Sequence, residues 1–471
     1  MSSEGVDGRV LPRTGQTERI TRNWASRFSP VQHGAAMRVT FLTHYPQLYG
    51  ANRSLLDLID GLRNYGVESS VLVSAEGPLV EELVRRGTPV RVLHLGRWAS
   101  RLPKGYGRMP TARRMMHRGR NGFCQFRTNV AAAPAVVRQL RAWRSDIVYS
   151  NSSLLLSGAI AAGFLRLPHV WHLREFGDLD YAFVPDFGRT AQTWLINRAE
   201  GIVAVSEAVR RYYHLTASPR MKVVYSGIGW AADLEKLRPE PVRHPSDAPY
   251  TFALVGLLHP AKGQQTAIEA LHELIRAGRN VKLVLAGSGS ADYRKRLEDL
   301  VHRLNLGAHV HFHGFTDDVY DVYRHANAVL MCSRNEAMGR VTAEAMASYR
   351  PVIGFRGAGT AELIRHGETG LLYDGEHETL SASMTQFLDD PEWARSLGRR
   401  GAQRARDLFT IERYAAGVYD LLRLVLSDRE TMPRTDVRAP AGFENTDSAS
   451  YETDLPARDA SVDRTVIHPF P

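Results

Sequence analysis

This 471-residue chain is poor in cysteine and in long apolar runs. Its two cysteines, Cys124 and Cys332, exclude a disulfide framework and a cysteine-based metal site, and they favour a reducing compartment. The chain has no run of about 18 apolar residues, the length needed to cross a bilayer, and its first residues lack the apolar core of a signal peptide. Asp178, Asp180 and Asp186 share one loop, but loop acids are ordinarily solvated, so no metal is predicted. We expect a cytoplasmic protein.

The composition is that of a soluble globular protein. Hydrophobic residues make up 44% and charged residues 23% of the chain, and its length suffices for two domains. The 60 basic and 50 acidic residues give a net charge of +10, which favours anionic partners. Sugar nucleotides, lipid phosphates, anionic membranes and nucleic acids all fit that charge, so charge alone does not choose among them.

Strand-like and helix-like segments alternate from residue 37 onward, which predicts an α/β fold. A stretch with four prolines separates two such series, and aperiodic polar segments at both ends predict disorder. Met37 is an alternative start. The predicted division is a lead-in (1–36), a first domain (37–236), a linker (237–249), a second domain (250–409), a C-terminal helix (410–427) and a tail (428–471).

A basic insert is predicted at 97–127, between a strand that ends at Leu95 and a helix that begins at Val130. It has nine lysines and arginines, no acid, and interleaved Trp, Phe and Met residues. Such a segment can lie on an anionic membrane, and a solvated loop is the alternative. Nucleic acid is not expected, because no nucleic-acid-binding module accompanies the insert. The arginines assigned to the acceptor or membrane side are Arg113, Arg114, Arg118 and Arg120.

The most informative stretch is 328–373, where a strand, a polar loop, a helix over 340–347 and a second strand predict one βαβ unit. The start of the helix after Gly339 offers unpaired N–H groups to a phosphate. Glu336 and Glu344 flank that anion site, and carboxylates suit sugar hydroxyls rather than phosphate. The alternative is that both glutamates only favour the helix start.

Three further residues are candidates on position alone. Gly50 precedes a helix, where a phosphate could approach the backbone, although a single glycine is more often a turn. Lys262 stands in a glycine-ended loop after a strand and suits a pyrophosphate, although a surface charge is the simpler interpretation. His172 ends a predicted strand, where ligands gather in α/β sheets; a structural histidine is the alternative.

The pattern of Glu336, seven residues and Glu344, followed by Ala-Met-Ala, a Pro-Val strand, Glu362 and Gly367 to Leu372, resembles the donor half of retaining family 4 glycosyltransferases. The resemblance implies a GT-B fold of two facing doubly wound Rossmann-like domains, with the C-terminal helix packed back on the first. By that resemblance Glu344 holds the nucleotide ribose and Glu336 contacts the transferred sugar. His172 would touch the donor sugar and the acceptor region.

The chain departs from the family pattern at three places. Leu257 stands where the family has an arginine that pairs with the loop lysine, so a phosphate contact is expected from Arg334 or Arg340 instead. The first loop has the single glycine Gly50 rather than a glycine-rich sequence. Tyr349 replaces a glycine after the helix, and we expect only a local effect.

The resemblance implies a retaining hexosyltransferase that moves a sugar from a nucleotide-sugar donor to a hydroxyl acceptor. The acceptor is left open among a glycan, a lipid-linked sugar and a small molecule. No cofactor or metal is expected, since the nucleotide sugar is a substrate and its leaving phosphate can accept the acceptor's proton. Two alternatives stay open: a sugar-nucleotide epimerase of the same architecture, and a non-catalytic protein that binds nucleotide sugars or membranes. The expected location is cytoplasmic, peripheral on the inner face of the membrane where the insert binds it.

Overall fold

A computed structural model describes residues 36–101, 110–238 and 248–431 of the chain. The predicted lead-in, the middle of the linker and most of the tail lie outside the described residues. The predicted tail begins at 428, but the last helix runs on to Thr431, so that boundary is wrong by four residues.

The first sheet has seven parallel strands in the order β3-β2-β1-β5-β6-β8-β9. Its chain order reverses between β1 and β5, which lie side by side with Val39 opposite Ile147. Its strands are β1 Met37–Thr43, β2 Val67–Val73, β3 Val90–Val92, β5 Ile147–Ser150, β6 His169–Leu173, β8 Gly201–Ala204 and β9 Met221–Val223. A separate antiparallel pair consists of β4 Ala99–Arg101 and β7 Phe183–Pro185.

The second sheet has six parallel strands in the order β12-β11-β10-β13-β14-β15. Its chain order reverses between β10 and β13, where Phe252 lies opposite Ala328. Its strands are β10 Tyr250–Val255, β11 Val281–Ala286, β12 Val310–Gly314, β13 Ala328–Met331, β14 Val352–Phe355 and β15 Leu371–Tyr373. Two parallel, doubly wound sheets confirm the predicted fold class.

Helices connect the strands of both sheets, as parallel pairing requires. Those associated with the first sheet are α1 Gly50–Arg63, α2 Pro78–Arg85, α3 Thr111–Ala142, α4 Ser157–Leu165, α5 Asp178–Tyr181, α6 Arg189–Ile196, α7 Glu207–Tyr212 and α8 Ala231–Lys236. Those of the second are α9 Gln264–Arg276, α10 Ala291–Arg303, α11 Val319–His325, α12 Arg340–Ala347, α13 Thr360–Leu363, α14 His377–Asp389 and α15 Pro391–Leu408, followed by α16 Ile411–Thr431.

Helix α16 follows the second sheet in the chain but packs against the first. Its Tyr414 and Leu421 belong to the same buried cluster as Phe41 of β1 and Leu55 of α1. Gly61 of α1 permits the close approach, because a Cβ there would lie 2.6 Å from Ala415 Cβ. Burying each large apolar side chain contributes about 1.5 to 3 kcal/mol, so this helix fastens the end of the chain to the first sheet.

The structure corrects the prediction for the basic insert. Helix α3 begins at Thr111 rather than at Val130, so most of the described part of the insert is helical. The segment from 111 to 127 contains alanine, arginine, methionine and glutamine, which are good helix formers, and it lacks proline. It shows no core periodicity because most of its side chains are exposed, and the sequence pattern therefore gave no helix signal.

Candidate functional site

The reversal point of the second sheet brings Lys262 and Glu336 together. Lys262 ends a 3₁₀ turn after β10, and Glu336 lies in the loop after β13. Lys262 Nζ donates to Glu336 Oε2 at 2.7 Å, and the side chains keep 25% and 19% of their exposure. Ligands of open α/β sheets bind at such a reversal point, beyond the carboxyl ends of the strands. The two residues therefore form one charged pair at the expected ligand edge.

Gly263 explains how Lys262 reaches that position. It adopts the left-handed conformation with φ +69°, and a Cβ there would lie 2.5 Å from the carbonyl oxygen of Cys332. No other residue fits that space without moving the backbone. The glycine thus lets the Lys262 loop rest directly on the end of β13.

Gly339 sets the start of helix α12 behind this pair. Its φ of +88° is left-handed, and a Cβ there would lie 3.1 Å from Thr342 Oγ1 and 3.3 Å from Glu336 Cγ. Thr342 Oγ1 is buried and has no hydrogen-bond partner in the part of the chain that the structure describes. The helix start and that hydroxyl supply donors on the side of the loop where Glu336 stands, as an anion site requires.

Arg340 and Glu344 form an ion pair that extends to helix α1 of the first sheet. Arg340 Nε donates to Glu344 Oε1 at 2.7 Å, and Arg340 Nη1 lies 2.7 Å from Asp57 Oδ2 and 3.1 Å from Gly227 O. Burial alone would lower the pKa of Arg340, but the two carboxylates outweigh it and raise that pKa. Arg340 therefore neutralises Glu344 and joins α12 to α1, and the structure commits its guanidinium to carboxylates rather than to an open phosphate position.

Arg334, the other arginine expected near the phosphates, points elsewhere. Its Nη2 donates to Gly375 O and to Glu376 Oε1, both at 3.0 Å. This places the guanidinium beside the loop that follows β15. The structure thus brings Lys262, Glu336, Gly339, and the Arg340–Glu344 pair to one loop, and it does not add Arg334 to them.

His172 lies inside β6 rather than at its end, because the strand runs to Leu173. The imidazole is fully buried, with Nδ1 2.7 Å from Tyr149 Oη, and Nε2 has no partner among the described residues. Burial, with a smaller effect of Arg174, lowers the pKa of His172 well below its ordinary value, so the ring is neutral. A side chain in this position is held by the protein core.

The residues that follow β6 were missed by the sequence analysis. Arg174 donates to Asn151 Oδ1 at 2.6 Å and also contacts Tyr414 Oη. Glu175 Oε1 accepts from the Ser153 amide at 2.8 Å and from two serine hydroxyls. Burial raises the pKa of Glu175, while these donors oppose the rise. Both residues directly follow Leu173, the last residue of β6, and a predicted strand one residue longer would have singled them out.

Gly50 is the first residue of α1 and follows Tyr49. A Cβ at this position would meet nothing within 4 Å, and the backbone is not left-handed. Neither packing nor conformation requires glycine here, so the open space beside it is compatible with the predicted phosphate approach, which stays a prediction.

Contacts between the two sheets' loops surround the same region. Glu362 accepts from the backbone amides of Glu207 at 2.9 Å and Ala208 at 2.6 Å, at the start of α7. Ser206 caps that helix through Val209 N, and its hydroxyl donates to Ala337 O. The loop that carries Glu336 is therefore attached to the first sheet's helix α7. No local sequence pattern predicts these pairings.

The four arginines assigned to the acceptor or membrane side all lie on α3. Arg113 and Arg120 are exposed, and Arg114 and Arg118 are half-buried. Arg118 Nη2 donates to Pro185 O at 3.0 Å, which ties α3 to strand β7. No group of three or more His, Cys, Asp or Glu side chains that could hold a metal occurs among the described residues.

Two family models match this chain. A model described as "Glycosyl transferases group 1" matches 239–404, and one described as "Glycosyl transferase 4-like domain" matches 49–229. The matched segment spans 40% of the length of a putative glycosyltransferase EpsD from Bacillus subtilis, at 32% identity over 155 residues and 32% of this chain. A glycogen synthase from Mycobacterium tuberculosis is 27% identical over 312 residues, which is 63% of this chain and 73% of the relative.

Solved structures share the fold. The crystal structure of Anabaena Alr3699/HepE in complex with UDP matches with a TM-score of 0.66 and 24% identity, over 82% of this chain and all of that one. A sucrose-phosphate synthase from Thermosynechococcus elongatus matches with a TM-score of 0.63 and 20% identity, over 83% of this chain and all of that one.

Proposed function

Because this chain belongs to the family 4 type of GT-B glycosyltransferases, we propose that it transfers a hexose from a UDP-sugar to a hydroxyl acceptor with retention of configuration. The observation that carries the proposal is the 2.7 Å pair of Lys262 and Glu336 beside the left-handed Gly339. Together they supply a cation for phosphate, backbone donors for an anion and a carboxylate for the sugar. The UDP found in the related HepE structure favours uridine as the base.

The residues divide the reaction between them. The bond from the anomeric carbon to the phosphate oxygen breaks while a bond to the acceptor oxygen forms on the same face, and the acceptor's proton passes to the departing phosphate. Lys262 and the start of α12 stabilise the charge that develops on the leaving diphosphate. Glu336 faces the positive charge that develops on the sugar, and Glu344 holds a ribose hydroxyl.

A donor panel tests this proposal. UDP-, GDP- and ADP-sugars are incubated with the protein, nucleotide release is measured, and the anomeric configuration of the product is read by NMR. We expect release from a UDP-hexose and an α-linked product from an α-linked donor. An inverted product would contradict retention, and interconversion of the donor without release would favour the epimerase. Absence of both release and UDP binding would contradict the proposal as a whole.

We further propose that the acceptor is presented at an anionic membrane, to which the N-terminal part of α3 binds. This helix contains no aspartate or glutamate, and four of its large apolar side chains are exposed by 47% to 73%: Met115, Met116, Phe123 and Phe126. Exposed apolar side chains interleaved with arginines suit an interface, where each cation contributes about 1 kcal/mol. No helix in the described part of the chain is long and apolar enough to span a membrane.

Vesicle binding tests this second proposal. We expect the protein to sediment with vesicles that contain phosphatidylglycerol and to remain free with pure phosphatidylcholine. The double variant Met116→Ser with Phe123→Ser should lose that binding while its UDP affinity is retained. Phe315→Ser, which removes an aromatic side chain of 64% exposure near the second sheet, is the matched control. Equal sedimentation of the double variant and the control would refute membrane binding through α3.

A further inference from the structure

The arginines at the two ends of the segment 97–101 lie beside the reversal point of the first sheet. The backbone of Arg97 forms an isolated antiparallel β-bridge with Leu155, in the loop that follows β5. The next residue, Trp98, donates its indole N–H to Ser153 O at 2.6 Å in the same loop. Asn129 of α3 donates to Arg97 O at 2.8 Å, so the segment is also fastened to that helix. The segment therefore lies at the ligand-binding edge of the first sheet, just as the Lys262 loop lies at that edge of the second sheet.

Both guanidinium groups lie over one aromatic ring. The Cζ atoms of Arg97 and Arg101 are 5.4 Å and 5.0 Å from the centre of the Phe183 ring. Phe183 is opposite Arg101 in the antiparallel pairing of β4 with β7. One cation over a ring is a favourable contact, but two like charges held on the same ring repel each other. Packing alone does not account for placing the second charge there.

The charges of these two arginines act on neighbouring histidines, one of which lies in the Lys262 loop. Burial lowers the pKa of Arg97, and no carboxylate contributes to the shift. Burial and the charge of Arg97 lower the pKa of His44, at the end of β1, to about 3. His259, which lies in the Lys262 loop, has its pKa lowered by burial and by the charges of Lys262 and Arg101.

Arg97 combines these properties with access to water. The residue is exposed, even though the protein around it lowers its pKa. Within the described part of the chain, no carboxylate forms an ion pair with Arg97. A desolvated guanidinium that is reachable from solvent and lacks a counter-charge is arranged for an incoming anion. The planar fork of arginine suits phosphate oxygens in particular.

We propose that Arg97, together with Arg101 on the Phe183 ring, binds a phosphate group in the space between the end of β1 and the Lys262 loop. The inference rests on the proposed function in that the phosphate belongs to one of its two substrates. It is either the distal phosphate of the donor, in place of the arginine that Leu257 replaces, or a phosphate carried by the acceptor. Arg97 is thereby separated from the exposed arginines of α3, which face the membrane in the proposed function.

Two titrations distinguish the sources. In the first, UDP and UMP are titrated by calorimetry into the wild-type protein, Arg97→Gln and Arg97→Lys. In the second, inorganic pyrophosphate is titrated into the same proteins saturated with UDP. The control is Arg91→Gln, which removes an exposed arginine from the edge strand β3. Thermal unfolding of each variant shows whether the fold is retained, and Arg97→Lys keeps the charge where Gln removes it.

If the phosphate is the donor's, Arg97→Gln weakens UDP binding about tenfold or more and UMP binding much less. If it is the acceptor's, UDP binding is unchanged, and pyrophosphate binding to the UDP-saturated protein falls about tenfold or more. Arg97→Lys should restore most of the loss in either case. Unchanged affinities in both titrations, or losses equal to those of Arg91→Gln, would overturn the proposal. Neither titration requires sugar transfer, so the result stands apart from the donor panel.

Discussion

Replacing Glu336 by glutamine should have two opposite effects. The carboxylate of Glu336 holds Lys262, and in the proposed function the same carboxylate acts on the sugar. The carboxylate and the ammonium are 2.7 Å apart, and both side chains are three-quarters or more buried. Coulomb's law with an effective dielectric constant of about 20 gives a gross attraction of about 6 kcal/mol at that distance. After desolvation is subtracted, coupling energies of such pairs are about 1 to 3 kcal/mol. A bound diphosphate has to compete with Glu336 for Lys262.

Glu336→Gln removes this competition, so we expect UDP to bind more tightly. If about 1 kcal/mol of the coupling is recovered by the diphosphate, the Kd for UDP falls about fivefold. The same variant lacks the carboxylate that, in the proposed function, faces the sugar, so kcat should fall by about 10²-fold or more. Tighter product binding with slower turnover is a combination that a merely structural role for Glu336 does not produce.

Calorimetry with UDP and steady-state kinetics with a UDP-sugar measure the two effects. Lys262→Met should weaken UDP binding by about tenfold or more, and adding Glu336→Gln to it should bring no further gain in affinity. Glu376→Gln is the control, because Glu376 also pairs with a basic residue, Arg334 at 3.0 Å, away from Lys262. An unchanged Kd together with a near-normal kcat in Glu336→Gln would refute the reasoning.

Three further predictions concern the fold around the site. Gly263→Ala places a Cβ 2.5 Å from the Cys332 carbonyl in a left-handed conformation, so urea unfolding should show a loss of about 1 to 3 kcal/mol, against almost none for Gly307→Ala, where the space is open. Tyr349 has a φ of +60°, so Tyr349→Gly should be more stable than Tyr349→Ala by about 1 kcal/mol, and equal stabilities would contradict the strain. Burial lowers the pKa of His169 to about 3, so between about pH 6.5 and pH 3 the unfolded chain takes up a proton that the folded chain does not. The free energy of unfolding should therefore fall as the pH decreases through that window. His169→Gln should flatten this dependence of the unfolding free energy on pH.

What the sequence predicted well was local. The alternation of strands and helices gave the fold class, and the glycine-ended loop of Lys262 and the helix start after Gly339 lie where parallel strands end. These features depend on neighbouring residues, whose spacing is visible in the chain. The first helical residue of α12 is Arg340, as predicted.

What the sequence did not predict depends on long-range contacts or on single-residue register. Arg340 pairs with Asp57, 283 positions earlier, and no local pattern announces such a partner. His172 was placed at a strand end, but β6 is one residue longer, and side chains alternate between the faces of a strand. The strand therefore ends at Leu173, and the histidine stays in the core.

The Arg340 pairing also bears on the ribose contact proposed for Glu344, which is a buried carboxylate. Glu344 is only 8% exposed, and burying a carboxylate without a partner is costly. Arg340 supplies the compensating charge through Oε1 alone, while Oε2 has the Tyr323 hydroxyl at 3.5 Å, a long contact that a ligand hydroxyl could replace. Since Arg340 also holds Asp57, the same charge that prepares Glu344 fixes α12 against α1. Loss of Arg340 should therefore weaken donor binding without any direct contact to phosphate.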